Sequence, residues 1–326
     1  MNESHPYDQL TPELVIDAVE STGLLTDLRI FPLNSYENRV YQVGIEDGEP
    51  IIAKFYRPMR WSDQQILEEH QFSQELFDTE IPVVPPIIHE NGQSLLEFGG
   101  YRFSLYQRKG GHAPELDNLD SQLILGRLLG RIHAVGAQRS FASRPDLNPD
   151  NFGHQSYQLL SEHFIPRELH TSYVSLCEDL LTIIDRQFKE TPCELIRVHG
   201  DCHSGNILWR DETPHFVDLD DSRMAPAIQD IWMFLSGDRA FQTAQLAELI
   251  DGYNEFYDFD PRQLALIEAF RTLRIMHYSA WLARRWEDPA FPHNFPWFNT
   301  MRYWSDHILE LREQLYLLQE PALTLF

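Results

Sequence analysis

The window "HGDCHSGNILW", residues 199–209, packs two histidines, a cysteine, an aspartate and an asparagine into one short stretch, and three chemistries compete for it. Zinc would draw on His199, Cys202 and His203. Their spacing matches no familiar ligand set, however, and a closed tetrahedral site needs a fourth donor from elsewhere. A thiolate nucleophile at Cys202 needs a partner base and a lowered pKa, which a sequence does not display, so a small buried filler is the expectation there. The third chemistry counts differently: His199, one residue, Asp201, four residues, Asn206. An aspartate so placed takes or orients the proton of an attacking hydroxyl, and an asparagine one tight loop later turns toward a Mg²⁺ ion on a triphosphate. The run "NILW" then starts a strand that turns at "RDETP" and returns as "HFVDLDD". That return carries Asp218 back beside Asn206 and supplies the hard oxygen donors that Mg²⁺ prefers.

Phosphoryl transfer works mainly by positioning and charge neutralisation, so a cation has to meet the phosphates. The chain has three lysines, and Lys54 sits in mid-strand in "IIAKFY" among apolar neighbours. A helix carboxylate is its expected partner, and "ILEEHQF" offers two. Glu69 shares the inward face of Phe72 and Leu76 and is favoured, while Glu68, one position earlier, stays open. The elements that must hold these groups are legible around them. "NRVYQVGI" and "PIIAKFY" read as strands joined by the turn "EDGE", and "SDQQILEEHQFSQELF" reads as a helix opening on the cap-like Ser62. After the strand-breaking "IPVVPP", "SLLEF" and "YRFSLYQ" flank Gly99 and Gly100 as a second hairpin. From about residue 115 the pattern turns helical, as in "LDSQLILGRLLGRIHAVG", where Ile124, Leu128 and Ile132 recur every four residues. The expectation is an α+β chain with a β-rich nucleotide-binding domain over 1–107. A larger, mostly helical domain over 108–326 holds the catalytic loop, the metal site and the substrate side. The glycines and proline of "QRKGGHAP" mark the passage between them.

Composition removes several alternatives. The 326 residues carry a net charge of −24, which argues against a basic nucleic-acid-binding face. With 43% hydrophobic and 12% aromatic residues the chain can fold around a core and is not a disordered one. Its apolar runs fall well short of the roughly 20 residues that cross a bilayer, and "MNESHPYDQL" has neither the basic start nor the apolar core of a leader. Cys177, Cys193 and Cys202 form no paired framework, which favours the reducing cytoplasm.

The signatures "VHGDCHSGNILW" and "FVDLDD" resemble the aminoglycoside phosphotransferase and choline kinase branch of the protein-kinase-like fold, in which the arginine of H-R-D becomes glycine and D-F-G is reduced to its aspartate. Longer blocks, "PLNSYENRVYQ", "AKFYRPMRWSDQQILEEHQF", "AWLARRWEDPAFPHNFPW" and "LQEPALTL", resemble bacterial serine/threonine kinases of that branch from end to end. The resemblance implies a bilobal protein-kinase-like fold. It also implies a cytoplasmic, ATP- and Mg²⁺-dependent enzyme that phosphorylates serine or threonine in proteins, itself included, and acts in a stress response. Neither nucleic acid nor membrane is an expected partner, and a monomer is expected. Asp201 then orients the acceptor hydroxyl, Asn206 and Asp218 bind Mg²⁺, and Lys54 contacts the α- and β-phosphates. Ser35 falls in the nucleotide-contacting turn. No G-x-G-x-x-G is present, so Asn34, Ser35 and Tyr36 take the place of a glycine-rich loop. The adenine would lie against Leu105 to Gln107, reading backbone groups where the strand ends. Asp230 resembles the family's loop-steadying aspartate, although a helix N-terminal charge would look the same. Asp220 and Asp221 could extend the metal site, attract a cationic group or be solvated. Four of the seven tryptophans fall between Trp281 and Trp304, as core packing or as a cover on the substrate side. His199 is a scaffold residue, and Gly200 permits close backbone approach. The same three oxygen-bearing residues would serve a small-molecule kinase equally well, and an inactive nucleotide-binding scaffold is a third possibility.

Overall fold

Alternating apolar and polar residues do build the two expected hairpins. In the computed structural model, which describes residues 5–325, helix α1 (Pro12–Glu20) precedes strands β1 (Thr26–Pro32), β2 (Arg39–Ile45) and β3 (Ile51–Phe55). Helix α2 (Asp63–Asp78) and strands β4 (Leu96–Phe98) and β5 (Tyr101–Gln107) follow. The stretch read for a leader begins at Met1, and its first four residues lie outside the described ones. The strands form one antiparallel sheet in the order β1-β2-β3-β5-β4. Gly99 and Gly100, at φ 57° and 82°, make the β4–β5 turn in a region that disfavours side chains. On one face of the sheet Ala53, Phe55, Phe103 and Leu105 join Val15, Ala18 and Val19 of α1 in a single apolar cluster. Strand alternation therefore sends Lys54, between Ala53 and Phe55, to the other face. Helix α2 starts on Ser62, the cap expected, with Gln65 completing a reciprocal cap, and buries Ile66, Glu69, His70, Phe72 and Leu76.

Contacts divide the chain into two units. The first runs through Pro114 and takes in Phe141–Arg144 and Ser204–Ser222. The hairpin of Ile207–Arg210 with Thr213–Phe216 is tied into it by bridges from Phe216 to Val83 and from Trp209 to His112. The second unit holds Glu115–Ser140, Pro145–His203 and the chain from Arg223 onward. It is helical: α3 (Leu119–Gly136), α4 (Gln155–His163), α5 (Arg167–Glu190), α6 (Ile228–Ile231), α7 (Arg239–Asn254), α8 (Ile267–Arg284), α9 (Ala290–Asn294) and α10 (Met301–Leu317). A two-stranded ladder of Ile196–Val198 with Arg223–Ala225 runs among these helices. No helix among the described residues is long and apolar enough to cross a membrane.

Helix α3 is present where its periodicity puts it, but its buried stripe is Leu125, Leu129 and Ile132, with Ile124 and Leu128 only half-buried. The stripe turns because glycines, not branched side chains, face α7. A Cβ on Gly126 would stand 2.0 Å from the Leu249 carbonyl oxygen, and one on Gly130 2.4 Å from that of Tyr253. Helical propensity favours alanine over glycine by only ~1 kcal/mol, whereas overpacking of this kind costs ~1–3 kcal/mol and here the obstacle is rigid backbone. Gly126→Ala is accordingly expected to lower stability, measured as a fall in the urea midpoint at unchanged slope; a midpoint at or above wild type would refute the close approach.

Candidate active site

The first unit gathers most of the expected polar residues around one turn. Ile207 pairs with Phe216, and the Val217 N–H donates to the Asn206 carbonyl at 3.0 Å, so Asn206 and Asp218 flank the open end of the hairpin. Asp218 adopts the left-handed backbone region (φ 59°, ψ 59°), which is uncommon for a residue with a side chain, and leaves its carboxylate half exposed. The Lys54 Nζ donates to Asp218 Oδ1 at 2.8 Å and lies 3.4 Å from Asp220 Oδ1. Burial of Lys54 works against its charge, but Asp218 and Asp220 outweigh it and hold the ammonium well above the usual lysine range. Asp220, only 3% exposed, also accepts from Arg60 and from Asn38 Nδ2, the latter at 3.2 Å. Burial pushes its carboxyl up, yet Lys54 and Arg60 prevail and keep it below the ordinary value. Ser35 lies in the β1–β2 loop, its hydroxyl donating to the Asn38 carbonyl at 3.2 Å.

Two expectations are corrected here. The Lys54 ammonium is bonded to the carboxylates of the 218–220 turn and not to a helix glutamate, because that turn brings two carboxylates to it directly. Glu68 instead accepts the backbone N–H groups of Ala142, Ser143 and Arg144 at 3.0–3.2 Å. Glu69 is buried, and its Oε2 has no hydrogen-bond partner among the described residues. Burial pushes its carboxyl up to about 7 despite the opposing pull of Lys54 and Arg144. The second correction concerns Leu105. Its carbonyl accepts the Ile87 N–H at 2.7 Å and it pairs with Ala53 in the sheet, while Gln107, at the strand end, pairs with Ile51. The Leu105 carbonyl is therefore already engaged by a protein donor.

The raised carboxyl of Glu69 has a pH consequence. Unfolded, it titrates near the ordinary 4.5; folded, near 7. The native state holds the extra proton between those values, so this group's stabilising effect is whole below the lower pKa and is lost as pH rises through the upper one. The loss is on the order of 3 kcal/mol. Glu69→Gln should flatten stability between pH 5 and 8, as read from urea midpoints; an unchanged slope would contradict the assignment.

In the second unit, Asp201 follows directly on the strand Ile196–Val198 through His199 and Gly200. The backbone N–H groups of His199 and Gly200 both donate to the Asp230 carboxylate, at 2.8 and 2.9 Å, and Gly200 takes φ 86° to allow it. Asp230, fully buried, also bonds His133 Nε2 at 3.0 Å, and His133 Nδ1 meets the Tyr253 hydroxyl at 2.9 Å. Of the two alternatives for Asp230, the geometry matches the loop-steadying one. The Asp201 carboxylate accepts from Arg274 of α8, with His203 Nε2 at 3.5 Å on its other oxygen. Cys202 is fully buried and its thiol is pushed well above the usual range by burial, so it is packing. Trp304 is buried against Phe298, Trp281 packs edge-on to Phe291 and Phe295 but is only half-buried like Trp286, and Trp297 is exposed, so the four divide between core and surface. Sequence reasoning missed Asn38, Arg60, His133 and Arg274. Asn38 and Arg60 fall within the blocks "PLNSYENRVYQ" and "AKFYRPMRWSDQQILEEHQF" that carry the resemblance, without being singled out there, whereas His133 and Arg274 stand at ordinary helical positions.

The donors fit a hard cation. Asn206 and Asp218 offer amide and carboxylate oxygens, and among the described residues no three of His, Cys, Asp or Glu cluster as a closed metal cage. Mg²⁺ commonly takes one or two protein oxygens and completes its shell with phosphates and water. Residues 29–267 match the model of the phosphotransferase enzyme family. The chain belongs to that family. This phosphotransferase is 43% identical over 325 residues to stress response kinase A of Escherichia coli K12, covering 99% of the chain and 98% of the relative. It is 44% identical over 320 residues to a Salmonella typhimurium serine/threonine protein kinase, RdoA, covering 98% and 97%. Its fold is shared with an amicoumacin kinase (TM-score 0.70, 21% identity, 94% of each chain) and with a microcompartment-associated aminopropanol kinase (TM-score 0.71, 14% identity, 93% and 96%). The fold class is thus the α+β one expected, with a β-sheet N-terminal part and a helical C-terminal part.

Proposed function

We propose that this phosphotransferase is an ATP- and Mg²⁺-dependent serine/threonine protein kinase, itself among its acceptors, working as a cytoplasmic monomer in a bacterial stress response. The observation that carries the chemistry is the Lys54 ammonium resting on the Asp218 carboxylate at the mouth of the hairpin that starts from Asn206. A phosphate-seeking cation and the oxygens for a metal then share one place. The nearly full-length similarity to two named bacterial kinases supports the acceptor class and the stress role.

Bound Mg²⁺ would neutralise charge on the phosphates as the bond to the γ-phosphorus breaks. Asn206 and Asp218 would hold that ion. Lys54 would exchange Asp218 for the α- and β-phosphates, which compete for its three donors, and Ser35 of the β1–β2 loop would contact the same phosphates. The backbone at the end of β5, from Leu105 to Gln107, would meet the adenine edge. Asp201 aligns the acceptor hydroxyl and takes its proton, while the Arg274 guanidinium fixes the carboxylate's direction. Arg274 also disfavours a cationic acceptor beside Asp201, which weighs against amino alcohols and aminoglycosides.

Transfer of label from radiolabelled ATP with Mg²⁺ tests this against a panel of amino alcohols, an aminoglycoside and a generic basic protein. Label on protein hydroxyls is the expected result. Label confined to a small acceptor would make it a small-molecule kinase, and ATP binding with no transfer would make it a scaffold.

A further inference from the structure

One buried group in the first unit has no part in the chemistry above. Asp220 lies two residues past the proposed metal-binding Asp218, yet it is only 3% exposed and its contacts are to protein. Its Oδ2 takes the Arg60 guanidinium and the Asn38 amide (3.2 Å), and its Oδ1 faces the Lys54 ammonium at 3.4 Å. Arg144 Nη1 donates to the Asp220 carbonyl at 2.9 Å and fixes the backbone. Each partner leads to a different element. Lys54 is in mid-β3. Arg60, from the segment after β3, also donates to Asp221 Oδ1 at 2.7 Å. Asn38 ends the β1–β2 loop, and its Oδ1 accepts the Arg57 N–H at 3.1 Å.

A buried carboxylate that gains two guanidinium or ammonium partners and an amide is fixed in direction as well as in charge. Asp220 meets that description through Oδ2, while its Oδ1 makes no hydrogen bond and faces the Lys54 ammonium as an ion pair at 3.4 Å. A metal-ligand role fits Asp220 poorly, since Oδ2 is filled and Oδ1 is turned to a cation. We propose that Asp220 is a positioning residue: anchored by Arg60 and Asn38, its carboxylate sets where the Lys54 ammonium stands and ties the β1–β2 loop to it, so that the phosphate-binding cation and loop act as one piece. The proposal rests on the nucleotide-binding role assigned to Lys54. It gives Asp220 the task that a helix glutamate was expected to perform.

The test compares Asp220→Asn, Asn38→Ala and Glu69→Gln with the wild-type protein, titrating a fluorescent ATP analogue with and without Mg²⁺ and measuring KM and kcat for ATP. Asp220→Asn should weaken analogue binding at least tenfold with and without metal, and raise KM by a larger factor than it lowers kcat. Asn38→Ala should shift both in the same direction by about threefold, and Glu69→Gln should shift them less than Asp220→Asn does. A general loss of packing would lower the thermal midpoint without that split between KM and kcat. Should Asp220→Asn fail to fold, Asn38→Ala decides, and wild-type affinity in it overturns the proposal. So does Asp220→Asn binding within twofold of wild type, a loss seen only with Mg²⁺, which would make Asp220 a metal ligand, or a larger effect from Glu69→Gln. A wild-type protein that binds no analogue overturns the nucleotide-binding role of Lys54 and this proposal together, whereas the other outcomes leave that role standing.

Discussion

Asp201→Asn is expected to lower phosphoryl transfer by ~10²–10⁴-fold, the range a positioned general base supplies, while the affinity for ATP stays within about twofold. The asymmetry follows from where the side chain is held. Asp201 belongs to the loop steadied by Asp230, and its carboxylate is engaged by Arg274 and His203 of its own unit. The groups assigned to nucleotide and metal, Lys54, Asn206 and Asp218, bond among themselves and their neighbours in the other unit. An asparagine keeps the volume and one acceptor for Arg274 but cannot take up a proton. Single-turnover kinetics with radiolabelled ATP, beside equilibrium binding of an ATP analogue, separate the two effects. Transfer within tenfold of wild type would remove Asp201 from the mechanism; a parallel collapse of binding would make it structural.

Much of this arrangement was legible from the chain because it is local. The spacing of Asp201 and Asn206, the short hairpin that returns Asp218, and the cap at Ser62 all depend on residues within about twenty positions of each other. What was not legible is long-range. Whether Lys54 meets a carboxylate of α2 or one 164 positions away is settled by how a 3₁₀ turn stacks under a sheet, and no periodicity encodes that. Arg274 and Asp201 are 73 positions apart, and His133 and Asp230 are 97 apart, with only unremarkable helical positions as a signal. The α3 stripe failed for a related reason. Periodicity weighs apolar side chains and is blind to a face whose value lies in having none, as at Gly126 and Gly130 against α7. Cys202 shows the opposite case, where a residue type suggestive of chemistry is used only as a small apolar filler.

The largest effect on stability should come from Asp230→Ala. The carboxylate is fully buried and accepts from the His199 and Gly200 N–H groups and from His133. Alanine strands all three. Each buried donor left without an acceptor costs ~1–3 kcal/mol, and removing one side of a buried polar network typically costs ~3–5 kcal/mol in all. That is a large share of the ~5–15 kcal/mol that holds an ordinary domain together. Asp230→Asn should fall between the two, since its amide oxygen serves one N–H while its NH₂ meets the other donor head-on. The ranking wild type, Asn, Ala in urea midpoint is the expected result, and a fall of under ~1 kcal/mol for alanine would show that the loop does not depend on this carboxylate. Catalysis gives the second readout. Because Asp201 directly follows Gly200, whose N–H and φ of 86° are held by Asp230, Asp230→Asn should reduce kcat even at temperatures where the variant is fully folded. The same loss should not appear in Gly126→Ala, which strains α3 against α7 and leaves the Gly200 contact intact.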